Sequence, residues 1–93
     1  MTAIAERIRH KLTSALTPSR LVILDESHRH AGHAGSRPEG ETHFRVEITS
    51  AAFAGLSRVA RQRLVYDLLA EELRDPVHAL SLATTTLEEE RGS

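Results

Sequence analysis

Residues 42–48 alternate without a break: Phe44, Val46 and Ile48 fall on one face, and His43, Arg45 and Glu47 on the other. Successive side chains of a β-strand point to opposite faces, so this strand has one apolar face. A sheet built around it needs cover on one side only, and the helices of the chain must lie together on that side.

The rest of the chain supplies the parts for such a layer pair. Residues 2–16 place Ile4, Ile8 and Leu12 at i, i+4 and i+8, with Thr2 as a candidate cap and Glu6, Arg7, Arg9 and Lys11 pointing elsewhere. Thr17-Pro18-Ser19 ends that helix, because the residue before proline avoids the helical region. Leu21-Val22-Ile23-Leu24 is a short, partly β-branched run and is expected as a strand antiparallel to 42–48. Ser50 can cap a single turn over Ala51-Ala52-Phe53 that Gly55 closes. Ser57 then starts a longer helix, expected to run unbroken to about Arg74, with Ala60, Leu64, Val65, Leu68, Leu69 and Leu73 as its apolar stripe.

Asp75-Pro76 stops that helix, and residues 77–85 alternate again, placing His78, Leu80 and Leu82 on one face. The order is αββααβ. Two helices lie between the second and third strands, so a right-handed crossover should make those strands parallel. The expectation is an α+β domain: a three-stranded mixed sheet with the helices packed on one face. Its body is residues 1–86, and residues 87–93 form an acidic tail that frays after at most one helical turn.

Ninety-three residues suit one domain and not two. Composition matters mainly for what it removes. There is no cysteine, so the chain has no disulfide, no thiolate metal site and no cysteine nucleophile of its own. The net charge is −1 and aromatics are 3% (Phe44, Phe53, Tyr66), a poor match to a general or base-stacking nucleic-acid binder. No apolar run approaches a membrane span of about 20 residues. The stretch MTAIAERIRHKL has no apolar signal-peptide core, so a cytoplasmic location is expected. No serine–histidine–aspartate set, phosphate loop or carboxylate pair with an acid–base assignment can be picked out, so no enzyme is expected.

Six histidines are the compositional oddity. Residues 28–41, HRHAGHAGSRPEGE, read as a long loop that carries His28, His30 and His33. Imidazoles so spaced can hold a metal, while a solvated polar loop is the usual fate of histidines in such a segment. His78 begins the last strand in phase with Leu80 and Leu82. It reads either as a cap bonded to nearby backbone or as a ligand on a rigid strand facing the loop. Gly32-His33-Ala34-Gly35 spells a GxxG, but it lies between strands and not between the helices where a backbone clamp of that kind works. Arg58, Arg61 and Arg63 crowd the start of the long helix and are the candidate contacts to DNA phosphates. Arg61 falls towards the apolar side of the helix wheel, so the three do not make one stripe.

Several segments in order carry a resemblance: Asp25-Glu26-Ser27-His28-Arg29-His30-Ala31, Glu41-Thr42-His43-Phe44-Arg45-Val46, Phe53-Ala54-Gly55-Leu56-Ser57, Arg61-Gln62-Arg63-Leu64-Val65-Tyr66, Leu69-Ala70-Glu71-Glu72-Leu73 and Val77-His78-Ala79-Leu80. Together they closely resemble the BolA family over nearly the whole chain. The resemblance implies a class II KH-like fold and a non-enzymatic partner of monothiol glutaredoxins. It implies a bridging [2Fe–2S] cluster held by the pair, used in cluster trafficking or iron and redox regulation. By the same resemblance His78 matches the strand ligand and His30 the loop ligand, with His28 and His33 as alternatives. The glutaredoxin cysteine and glutathione would supply the other ligands. No cofactor is expected in the isolated chain, which should be a monomer or weak homodimer. A DNA-binding transcriptional regulator is the alternative function. The chain departs from the family pattern in a longer loop through GSRPEG and in Gln62, where relatives carry a histidine.

Overall fold

A computed structural model describes residues 3–26, 43–75 and 77–92. Helix α1 (Ala3–Leu16) leads into strand β1 (Arg20–Asp25). Strand β2 (His43–Thr49) is followed by a 3₁₀ turn (Ala51–Phe53), helix α2 (Arg58–Leu68) and helix α3 (Ala70–Arg74). Strand β3 (Ala79–Thr85) and helix α4 (Leu87–Gly92) complete the chain. The sheet order is β1-β2-β3. β1 runs antiparallel to β2 with Ile23 opposite Val46, and β3 runs parallel to β2 with Leu82 beside Val46. The mixed three-stranded sheet derived from the alternation is therefore the observed one.

The core lies on one face of this sheet. Phe44, Val46 and Ile48 are 2%, 0% and 1% exposed, which confirms their side of the pleat as the inner one. They pack in one cluster with Ile4, Ile8, Leu12 and Leu16 of α1, Phe53 of the turn, and Val65 and Leu69 from the α2–α3 segment. The opposite face of β2 is polar, and Glu47 is bridged to Arg20 at 3.0 Å and to Arg45 at 3.2 Å.

Local chemistry sets several boundaries. α1 stops where Thr17 takes a positive φ of 44° and donates its N–H to Thr13 O, with Pro18 next. The Ser50 hydroxyl donates to Leu16 O at 2.6 Å and accepts from Ala52 N–H, so one buried side chain ties the end of α1 to the start of the 3₁₀ turn. Gly55 closes that turn at φ 81°, a region that costs a residue with a Cβ. Ser57 caps α2 by accepting from Ala60 N–H.

Two expectations are corrected. The long helix is broken at Leu69 (φ −104°, ψ 19°), although bonds from Leu69 N–H to Val65 O and from Leu73 N–H to Leu69 O carry the ladder across. No proline or glycine marks the break in sequence. It accompanies packing, with Leu69 in the core and Glu72 turned inward at 1% exposure. Lys11 Nζ lies 3.0 Å from Glu72 Oε1 and Arg7 Nη2 lies 2.7 Å from Oε2, the latter an ion pair too poorly aligned for a hydrogen bond. The acidic end also differs from a fraying tail, because residues 87–92 form α4.

Candidate metal and partner site at the β2–β3 end

His78 lies one residue ahead of β3 and is exposed. Ladder pairing starts at Ala79, opposite His43, so the pleat does not hold His78 in the row of Leu80 and Leu82 that the alternation suggested. Its ring instead stacks on the ring of His43, with centroids 6.2 Å apart and planes 10° from parallel. That separation is within the range of offset ring stacking. His43 stands on the polar face of β2, so the pair sits at the sheet end on the side away from the core.

The same end brackets the histidine-rich segment. Glu26 N–H donates to His43 O at 2.8 Å, which joins the two described residues on either side of 27–42. His28, His30 and His33 lie outside the described residues. His43 is the residue the sequence reading passed over. The signal that could find it is the parallel register of β2 and β3, which brings residue 43 beside residue 79 and hence beside His78.

The arginine cluster is not one surface. Arg58 and Arg63 are exposed and form no ion pair among the described residues. Arg61 does not belong with them. It is 6% exposed, its Nε donates to Leu56 O at 3.0 Å, and its Nη1 and Nη2 fork onto Glu89 at 2.8 and 3.1 Å. The helix periodicity that put Arg61 towards the apolar side also buries it, and a buried guanidinium requires a carboxylate.

Glu89 is also half of a capping box. Its carboxylate accepts from Thr86 N–H, and its own N–H donates to the Thr86 hydroxyl, each at 3.0 Å. The Arg61 guanidinium, and after it the Thr86 amide, hold the Glu89 carboxyl at about 2 against an ordinary 4.5. A depressed carboxyl stabilises the fold above its unfolded value and loses that contribution as pH falls through the folded one. The attachment of α4 should therefore be complete from pH 5 to 8 and weaken between about 4.5 and about 2. NMR signals of the Arg61 side chain should follow this titration. Signals unchanged down to pH 2, or a loss on raising the pH to 8, would contradict it.

Among the described residues no group of three histidine, aspartate or glutamate side chains is placed to hold a metal ion, and no helix is long and apolar enough to cross a membrane. The site thus presents two stacked imidazoles at one exposed place, with no cysteine anywhere in the chain.

Comparison with known proteins agrees with the fold. A family model described as BolA-like protein matches residues 12–89. The chain is 52% identical over 84 residues to a protein from Arabidopsis thaliana named BOLA1, chloroplastic, covering 88% of this chain and 52% of that protein. The chain thus spans about half the length of that relative. It is 46% identical over 89 residues to the Escherichia coli DNA-binding transcriptional regulator BolA, covering 96% of this chain and 81% of the relative. The solved BolA domain of SufE1 from Arabidopsis thaliana superposes with a TM-score of 0.86 at 46% identity, covering 96% of this chain and 98% of that one.

Proposed function

The chain belongs to the BolA-like family, and from that premise we propose that it is a non-enzymatic partner of a monothiol glutaredoxin, with which it shares a bridging [2Fe–2S] cluster. The observation that carries this reading is the exposed His78 ring, set one residue ahead of β3 and stacked on His43. A chain without cysteine cannot enclose a cluster alone. An exposed imidazole at a sheet end fits a cluster whose thiolates come from the glutaredoxin cysteine and glutathione.

In this reading His78 is the ligand from the folded body and His30 the ligand from the segment between β1 and β2, with His28 and His33 able to substitute. His43 is a positioning residue that limits the rotation of the His78 ring. Imidazole ligation raises the reduction potential of such a cluster relative to all-thiolate ligation. Neutral imidazole is the binding form, so acidification weakens the site. Titrating a monothiol glutaredoxin into the labelled chain should move His43, His78 and the residues beside them. A partner that binds and leaves both unmoved would refute the site.

A second reading, binding to DNA, is favoured by the exposed Arg58 and Arg63 and by the name of the Escherichia coli relative. Each phosphate contact contributes about −0.9 to the slope of log K against log salt. The Arg58→Ala, Arg63→Ala double variant should therefore flatten that slope by about 2 in a DNA-binding titration. A slope unchanged in the double variant would place DNA on another surface.

A further inference from the structure

The Arg61–Glu89 contact joins unequal partners. The guanidinium is fixed, because its Nε is bonded to Leu56 O at 3.0 Å, its Nη1 reaches Thr84 O at 3.4 Å, and the side chain is 7% exposed. The carboxylate is 47% exposed and belongs to a six-residue helix that buries none of its residues. So short a helix does not hold itself together in water. α4 is helical because it is docked, and Glu89 docks it through two bonds to one guanidinium.

A cleft of about 530 Å³ lies beside this contact, with Arg61 and the turn residues Ala51, Ala54 and Gly55 as its fixed wall and residues 86–89 and 91, the carboxylates of Glu88 and Glu89 included, as the wall that leaves with α4. That volume is within the range of ligand pockets. Small residues at the turn leave room for a chain to approach, and the planar fork of an arginine selects a carboxylate geometry. The Thr86 N–H, bonded to the same carboxylate, adds a third donor from the backbone.

We propose that Arg61 and this cleft form a receptor for a glutamate-bearing acidic segment of a partner protein, with Glu89 as the intramolecular occupant that the partner displaces. Glu89 is presented to Arg61 by the adjoining turn, through its two bonds with Thr86, so a competing segment must outbind a carboxylate that is already positioned. Contacts with the turn at Ala51, Ala54 and Gly55 are the source of that additional affinity, which a bare carboxylate lacks.

The test uses the full chain carrying Glu89→Gln and, as probe, an acetylated and amidated hexapeptide Leu-Glu-Glu-Glu-Arg-Gly. Binding is read from the NMR shift of the Arg61 Nε–H. The variant should bind the probe at least tenfold more tightly than the unmodified chain, in which Glu89 competes. Changing the middle glutamate of the probe to glutamine, or adding Arg61→Lys to the protein, should abolish binding. Thr86→Ala removes the cap without touching the fork, and it should also raise affinity for the probe. That variant keeps the proposal testable if Glu89→Gln does not fold. Equal binding to the unmodified and unplugged chains would overturn the proposal, as would equal binding of sodium acetate and the peptide.

Discussion

Replacing His78 with alanine is expected to abolish the imidazole-ligated spectrum of a [2Fe–2S] cluster shared with a monothiol glutaredoxin. No neighbour in the chain can take its place, because Val77 is 4% exposed and apolar and Ala79 has no donor atom. His43 is held in β2 by the ladder and stands a full ring stack away, so it cannot move to the position His78 leaves. Ordering one residue costs about 1–2 kcal/mol. His78 directly precedes the paired Ala79 and has a ring already stacked, so it gives up little freedom on coordination. A ligand from residues 28–33 has two further imidazoles nearby in sequence. His30→Ala should therefore leave partial occupancy, with His28 or His33 in poorer geometry. His43→Ala should leave His78 bound but alter the spectrum, because the ring loses its stacking partner. Visible circular dichroism of each variant bound to the glutaredoxin separates the three outcomes. An unchanged spectrum for a folded His78→Ala protein would sink the ligand assignment.

The largest stability effect is expected at Glu72, whose carbonyl accepts from the Val77 N–H at 2.9 Å. Its carboxylate is 1% exposed and is neutralised by Arg7 and Lys11, both on α1. Removing both cations, as Arg7→Ala with Lys11→Ala, leaves a buried charge without a counter-ion and should cost about 3 kcal/mol. For a domain of this size that is a fall of roughly 12–24 °C in Tm. Glu72→Leu is expected to be close to neutral, because Arg7 is 48% exposed and Lys11 27%, so both can turn to water. The Lys11 contact with Glu71, whose side chain is 71% exposed, contributes little to either number. Thermal unfolding of the three chains decides this. A double variant as stable as the unmodified chain would contradict the assignment of Arg7 and Lys11 as the partners that stabilise the buried Glu72.

What could be read from the sequence follows the range of the interaction responsible. The alternation of residues 42–48 fixed the inner face of β2, and with it the side on which α1 and α2 lie, because a pleat has a period of two and no other solution. Ser50, Gly55 and Ser57 were legible because caps and turns act over two or three residues. The break at Leu69 was not, since no local residue demands it and the inward turn of Glu72 depends on α1. Arg61 and Glu89 are 28 residues apart, so nothing in either neighbourhood announces their pairing, and a charged end reads as a loose one. The His43–His78 stack is an intermediate case. His43 could be placed on β2 and His78 beside β3, but their contact depends on the β2–β3 register, which alternation alone leaves open by two-residue steps.

The central claim is that an imidazole of this chain completes a cluster it cannot hold alone. It is tested most directly by co-expressing the chain with a monothiol glutaredoxin, purifying the pair without oxygen, and recording the electron paramagnetic resonance of the reduced cluster. The account predicts a one-to-one pair whose [2Fe–2S] signal shows strong nitrogen hyperfine coupling, and predicts that His78→Ala removes the coupling assigned to that ring. A pair that carries the cluster without nitrogen coupling, or with coupling unchanged in His78→Ala, would contradict it.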